Sequence, residues 1–122
     1  MSKVAVQLGP FVICDLRPEW RRKPYVTFWR PDNAGYAYPL VWAGDYSEET
    51  IMGAQRYYSA FDGANLIRFP VERSAAEALG VAPNPGAVDG DVGPVIPNNA
   101  TMRKSLRKLV FTPSLISKES QP

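Results

Sequence analysis

Apolar runs and alternating side-chain patterns predict β-strands in the first third of the chain. Residues 11–16 are a run of mostly β-branched and aromatic side chains, the composition of a buried strand. Residues 25–30 alternate between two usable faces, and residues 36–41 form a second extended run. Residues 31–35 between them contain Pro, Asp, Asn and Gly, which suit a tight turn. We therefore predict a strand at residues 11–16 and a β-hairpin over residues 25–41.

Apolar residues at helical spacing indicate three helices in the rest of the chain. Each begins after a residue suited to cap or start it: Ser47 before residues 48–59, Pro70 before residues 71–79, and Asn99 before residues 100–111. Gly80 is expected to end the second helix in the left-handed conformation. The apolar face of the third helix consists of Met102, Leu106, Leu109 and Val110. A short strand is predicted at residues 65–69.

Residues 82–97 differ in composition from their neighbours. Pro and Gly occupy seven of these sixteen positions, which predicts a long structureless loop or arm. The predicted fold class is α+β, with a small antiparallel sheet of three to four strands and two to three helices on one face. The 122 residues fit a single domain, placed at residues 1–112. A flexible polar tail is predicted at residues 113–122.

Composition excludes several kinds of chemistry. The chain has no His and one Cys, so Ser–His and Cys–His nucleophilic pairs, His-containing zinc sites and intramolecular disulfides are excluded. Cys14 follows an apolar run and is expected to be a buried strand residue in a reducing compartment. No run approaches the roughly 20 apolar residues of a membrane span, and the first residues do not resemble a secretory signal. We expect a cytoplasmic location and no membrane partner.

The segment from Arg17 to Arg30 is basic and rich in aromatic residues. It contains five cations and one acid, Glu19, which gives a local charge of +4. Cations with interleaved rings suit a single-stranded nucleic acid or a nucleotide, but Arg, Trp and Tyr are also enriched where proteins bind proteins. A third interpretation is a connector whose rings pack beneath the sheet. The candidate partner-binding residues are Arg17, Trp20, Arg21, Arg22, Lys23, Trp29, Arg30 and Tyr36.

The last predicted helix carries a second group of cations. A basic stripe opposite its apolar face consists of Arg103, Lys104, Arg107 and Lys108. Such a stripe suits phosphate binding, although ordinary surface helices also carry basic faces with apolar backs. The net charge of +2 argues against a strong attraction of the whole molecule to nucleic acid.

No motif predicts a catalytic residue, a metal or a cofactor. Asp89-Gly90-Asp91 resembles the start of a calcium loop, but the further ligands are missing. Glu48 and Glu49 are adjacent on a helix, so their side chains diverge and cannot form an acid/base pair. The chain has no glycine-rich phosphate-binding fingerprint. A small metal-dependent enzyme acting on nucleotides is kept only as a second alternative.

One pattern runs through residues 28–49: an aromatic-Trp-Arg sequence, a turn ending in Ala-Gly-Tyr, and a later Ala-Gly-x-Tyr-Ser-x-Glu. It resembles short uncharacterised proteins of bacteriophages and prophages. Residues 93–98, followed by Leu106 and Arg107, are similar to a second stretch in some of them. Together the two stretches cover about a third of the chain. Ala37 is a departure, because those proteins often have a hydroxyl residue there.

The resemblance implies a role but no catalytic residue. Small accessory proteins of phages act largely by binding and redirecting host machinery, and counter-defence factors such as anti-CRISPR proteins are one kind. We therefore expect a non-catalytic protein that binds a host or phage macromolecule in the host cytoplasm, with a protein complex as partner. Binding of single-stranded nucleic acid or a nucleotide is the alternative. The oligomeric state is not predicted.

Overall fold

The computed structural model describes residues 9–111, so the predicted tail at residues 113–122 lies outside the described residues. Within them, five strands form one antiparallel sheet with the order β3-β2-β1-β5-β4. The strands are β1 (Phe11–Asp15), β2 (Thr27–Trp29), β3 (Tyr36–Ala37), β4 (Ala60–Asp62) and β5 (Asn65–Glu72). The α+β class is confirmed, with more strands than the three to four expected.

Four short α-helices accompany the sheet in the described residues. They are α1 (Glu48–Gly53), α2 (Gln55–Tyr58), α3 (Arg73–Glu77) and α4 (Ala100–Lys108). No helix between residues 9 and 111 is both long and apolar enough to cross a bilayer.

The helices cover both faces of the sheet. Val12 and Cys14 of β1 pack on one side in a core that includes Ala76 of α3 and Leu106 of α4. The alternate residues of β1, among them Ile13, point to the other side, where the core contains side chains of α1 and α2. The expectation of helices on one face is therefore wrong. Four consecutive residues of the central strand, Phe11–Cys14, are apolar. Successive side chains point to opposite faces of the sheet, so both faces have to be covered.

The hairpin is confirmed, but its paired part is short. Phe28 pairs with Ala37 and Trp29 with Tyr36, and the turn contains Gly35 at φ +113°. The chain then turns into a 3-10 helix over Leu40–Trp42 instead of continuing as a strand. A Cβ at Gly44 would lie 2.6 Å from the Cα of Pro31, so the chain passes the turn at a distance that a side chain would prevent.

Local capping signals predicted where helices begin better than where they end. Ser47 Oγ accepts a hydrogen bond from the Thr50 amide at 3.1 Å, which confirms the predicted cap. The predicted helix over residues 48–59 is interrupted at Ala54, where φ is −148° and ψ is 53°. The break directly follows Gly53, a residue that weakens a helix by about 0.5–1 kcal/mol relative to Ala.

The expected helix over residues 71–79 is wrong in its first part. Pro70 lies inside β5 opposite Ile13, and its carbonyl accepts a hydrogen bond from the Phe111 amide. Val71 is buried against β1, so α3 begins only at Arg73. The partner strand β4 was not predicted.

Gly80 is required by a close contact and not by its backbone conformation. It lacks a positive φ, and a Cβ there would lie 2.6 Å from Pro94 Cβ. The expected left-handed helix end is therefore wrong at this position. Close packing against the proline loop requires the small residue instead.

The Pro/Gly-rich segment over residues 82–97 is a packed loop, not an arm. It contains one 3-10 turn, Asp89–Asp91, among its described residues. Its side chains Val88, Val95 and Ile96 are buried. Val95 exchanges two backbone hydrogen bonds with Val81, and the Ile96 carbonyl accepts one from the Val26 amide. These contacts fix the loop against Val26, the residue of the basic segment that directly precedes β2.

The last helix begins as expected. Asn99 Oδ1 accepts a hydrogen bond from the Met102 amide at 2.8 Å, and Leu106 is fully buried. The helix ends at Lys108, before the expected residue 111, and Leu109 is 37% exposed. Leu109 therefore belongs to the surface and not to the apolar face.

Candidate functional site

Asp15 anchors the site from the end of β1. Its carboxylate is buried, with the residue 2% exposed. Oδ1 accepts a hydrogen bond from Arg17 Nε at 3.0 Å, and Oδ2 accepts from Arg17 Nη2 at 2.7 Å and from Trp29 Nε1 at 3.0 Å. The hydrogen bonds to Asp15 raise the pKa of Arg17 above its ordinary value. One carboxylate thus holds a guanidinium at the surface and an indole in the interior.

Trp29 is removed from the predicted binding surface by this arrangement. The residue is 5% exposed and packs in the core beneath α1 and α2. The indole can be buried because its N–H is bonded to Asp15. An expected partner contact is therefore a structural residue.

Trp20 lies at the surface, where Arg17 and Tyr36 hold it. The 3-10 turn Pro18–Trp20 returns the chain so that the Arg17 guanidinium carbon lies 3.9 Å from the centre of the Trp20 ring. The rings of Trp20 and Tyr36 meet edge to face, 4.7 Å apart. Tyr36 is 45% exposed. Three of the predicted contact residues thus form one partly exposed cluster.

Asn98 joins the basic segment to the last helix. Its Nδ2 donates to the carbonyls of Trp20, Arg21 and Lys23 at 3.1, 3.2 and 2.9 Å. Its Oδ1 accepts from Arg103 Nη1 at 2.9 Å. One amide side chain therefore connects backbone near residue 20 with a cation near residue 103.

A cleft of about 230 Å³ lies at this junction. Its cations are Arg17, Arg21, Arg103 and Arg107, and we call it the arginine cleft. Asp15 is the acid that lines it among residues 9–111. Four cations and one acid leave a local charge of +3. The two basic groups predicted separately from the sequence therefore meet at one site.

A second depression of about 370 Å³ adjoins the cleft. Its rings are Trp20, Tyr36, Tyr38 and Trp42, and we call it the aromatic groove. Lys23 and Arg30 also line it, with Asp89. The guanidinium carbon of Arg30 lies 5.3 Å from the Trp42 ring centre. Trp20 and Thr27 line both depressions, so the cleft and the groove are neighbours with a common wall.

Three predicted cations lie outside both depressions. Arg22, Lys104 and Lys108 are exposed and line neither the arginine cleft nor the aromatic groove. Successive residues of a helix are turned by about 100°, so the predicted stripe of four divides into two pairs. Arg103 and Arg107 face the cleft, and the two lysines face away from it.

The remaining candidates for chemistry are engaged elsewhere. Asp91 Oδ1 accepts a hydrogen bond from the Gly86 amide at 2.8 Å. Between residues 9 and 111, no group of three or more Cys, Asp and Glu side chains could hold a metal ion. Cys14 is buried in β1 as predicted, and burial raises the pKa of its thiol well above the ordinary value.

Sequence reasoning missed four residues of this surface. Tyr38 and Trp42 lie in and after the returning part of the hairpin, and the two-residue spacing of Tyr36 and Tyr38 was the available signal. Asp15 could have been found from its position two residues before Arg17 at the end of an apolar run. Asn98 had no signal, because the three carbonyls to which it donates are more than 70 residues away along the chain.

The arrangement can bind an anion beside a flat ring. Guanidinium groups donate paired hydrogen bonds to phosphate or carboxylate oxygens, and aromatic rings stack with planar groups. In the groove Tyr36 is exposed, and Trp20, Tyr38 and Trp42 are half-buried. The cleft and the groove place these two capacities side by side. Comparison with protein-family models, curated proteins and solved structures finds no match for this chain.

Proposed function

We propose that this protein is a non-catalytic accessory protein of a bacteriophage or prophage that binds a host or phage macromolecule in the host cytoplasm. The binding role is supported by the arginine cleft and the aromatic groove. The phage origin is supported by the sequence resemblance over residues 28–49. Inhibition of a host defence complex is one form that such binding would take.

The convergence of charge in the arginine cleft is the observation that carries the proposal. The whole chain has a net charge of +2, whereas the cleft alone has +3. Arg17 is neutralised by Asp15, which leaves Arg21, Arg103 and Arg107. Like charges held together repel, and an anionic ligand removes that repulsion on binding.

The cleft also retains donors for a ligand. A guanidinium has five N–H donors. Within residues 9–111, Arg103 donates to Asn98 and Arg107 Nε donates to the Leu66 carbonyl. Arg21 has no side-chain hydrogen bond to any residue in that range. The three side chains therefore keep most of their donors for a partner.

Catalysis has weaker support on the same surface. Asp15, the acid in the cleft, is buried and bonded to Arg17 and Trp29. A general acid or base has to reach the proton that it transfers. Asp15 is therefore engaged in holding the cleft together, and the free donors of the arginines favour binding as the role of the cleft.

The test is differential capture from a lysate of host bacteria with tagged full-length protein. The cleft variant is Arg21→Glu/Arg103→Glu. The matched control is Lys104→Glu/Lys108→Glu, which makes the same change in charge outside the cleft. We expect wild type and control to retain a macromolecule that the cleft variant loses, with all three folded by circular dichroism. Retention by none of them, or equal loss in the control, would overturn the proposal.

A further inference from the structure

We infer that the macromolecule is a single-stranded nucleic acid, with phosphates in the arginine cleft and bases in the aromatic groove. This inference rests on the proposed function and specifies its ligand.

The placement of the two depressions favours a ligand with charged and planar parts. The arginine cleft, about 230 Å³, and the aromatic groove, about 370 Å³, share Trp20 and Thr27 as lining residues. A ligand that occupies both has to cross Trp20 with an anionic part in the cleft and a planar part in the groove. A nucleic acid strand, with its repeating phosphates and bases, meets this requirement.

The two linings match the two parts that repeat along a single strand, the phosphate and the base. Arginine forks match phosphate oxygens, and proteins that bind single strands pair a cationic path with rings on which bases stack. Arg21 and Arg103 supply the cationic path, and Tyr38 and Trp42 supply rings in the next depression. Base, sugar and phosphate would follow one another across Trp20.

The cations beside the rings argue against an apolar protein partner. Lys23 and Arg30 line the aromatic groove together with Trp42. Filling that groove with an apolar side chain would remove water from both cations without replacing it, which is unfavourable. A nucleotide carries a phosphate close to its base, and that phosphate can neutralise Lys23 and Arg30. An acidic peptide would fit the cleft and leave the rings without planar partners.

A single strand also fits better than a duplex. In a duplex the bases are stacked on one another, and rings at a protein surface reach their faces only when the bases are unpaired. Tyr36, Tyr38 and Trp42 can be used for stacking only with free bases. The inference therefore includes a preference for single strands at equal length and charge.

The experiment is fluorescence anisotropy with a 5′-fluorescein oligothymidylate of about 10 nucleotides, within the usual size of such sites. A duplex of equal length and a polyglutamate competitor are measured in parallel. We expect the cleft variant Arg21→Glu/Arg103→Glu to lose most of the affinity. Trp42→Ala should weaken binding by roughly 5- to 150-fold, the effect of losing one stacked base. Lys104→Glu/Lys108→Glu, the control, should weaken binding much less than the cleft variant, because neither lysine lines the cleft or the groove.

Failure of this inference is distinguishable from failure of the proposed function. If the oligothymidylate does not bind, or if Trp42→Ala has no effect, the inference is overturned. If lysate capture still depends on the cleft in that case, the proposed function stands with another ligand, such as an acidic protein. If polyglutamate displaces the oligonucleotide at equal charge concentration, charge alone is recognised and the inference is likewise overturned.

Discussion

Replacing Asn98 by Ala tests how the two halves of the arginine cleft are held together. The Asn98 amide has two N–H hydrogens shared among the carbonyls of Trp20, Arg21 and Lys23, and its Oδ1 accepts from Arg103. The substitution removes all four contacts and leaves the backbone of the loop in place. The basic segment then loses its side-chain link to α4.

The expected loss in the free energy of unfolding follows from counting the hydrogen bonds that Asn98→Ala removes. Two N–H donors make the equivalent of two net hydrogen bonds, at about 0.5–1.5 kcal/mol each. The bond from Arg103 is charge-assisted, and its exposure to solvent limits it to about 1 kcal/mol. Water can reach the freed carbonyls at exposed Arg21 and Lys23, which lowers the total to about 2 kcal/mol. For a domain of this size the melting temperature should fall by about 8 °C.

Urea denaturation and thermal melting, both followed by circular dichroism, measure this loss. Asn99→Ala is the matched control, because Asn99 caps α4 through the Met102 amide and does not contact the basic segment through its side chain. We expect the control to lose about 1 kcal/mol of stability and to keep wild-type affinity for the oligothymidylate, whereas Asn98→Ala weakens that affinity. A change of less than about 0.5 kcal/mol in Asn98→Ala, or equal binding by the two variants, would refute the assigned role of Asn98.

Three further substitutions or reactions test the fold beneath the site. Asp15→Ala should cost about 3 kcal/mol in urea denaturation, because it leaves the Trp29 N–H unpaired in the interior and breaks a largely buried ion pair; a loss below about 1 kcal/mol would contradict the anchor. Gly44→Ala should cost about 2 kcal/mol, because a Cβ there would lie 2.6 Å from Pro31 Cα; an unchanged melting temperature would contradict this close approach. Burial raises the pKa of the Cys14 thiol, so at about pH 8, near the ordinary pKa of a thiol, the folded protein should react with Ellman's reagent far more slowly than the protein in urea. Equal rates in the two states would show that Cys14 is accessible.

The parts of the fold that depend on neighbouring residues could be predicted from sequence. The apolar run of β1 and the caps at Ser47 and Asn99 all appear as expected, because their interactions lie within a few residues. The local sequence at Pro70 predicts the start of a helix. In the structure, pairing with Ile13 keeps it in β5, a long-range contact that overrides the local preference.

The candidate site depends mostly on long-range contacts, which explains what sequence reasoning missed. The basic character of residues 17–23 and of α4 is visible in the sequence, but their convergence is not. It depends on Asn98 and on the packed loop before it. The burial of Trp29 depends on Asp15, fourteen residues earlier. An indole is apolar with one polar atom, so the sequence does not decide between surface and interior.

The salt dependence of oligothymidylate binding tests the central claim most directly. Single-stranded nucleic acids give a slope of about −0.7 in log affinity against log salt for each phosphate neutralised. Arg21, Arg103 and Arg107 are the uncompensated cations of the cleft, and together they contribute about −2 to the slope. Lys23 and Arg30 of the groove add to the slope equally in wild type and in both double variants. Lys104→Ala/Lys108→Ala should have the wild-type slope, and Arg21→Ala/Arg103→Ala should lower its magnitude by about 1.4. A slope near zero in wild type, or equal slopes in the two double variants, would contradict phosphate binding in the arginine cleft.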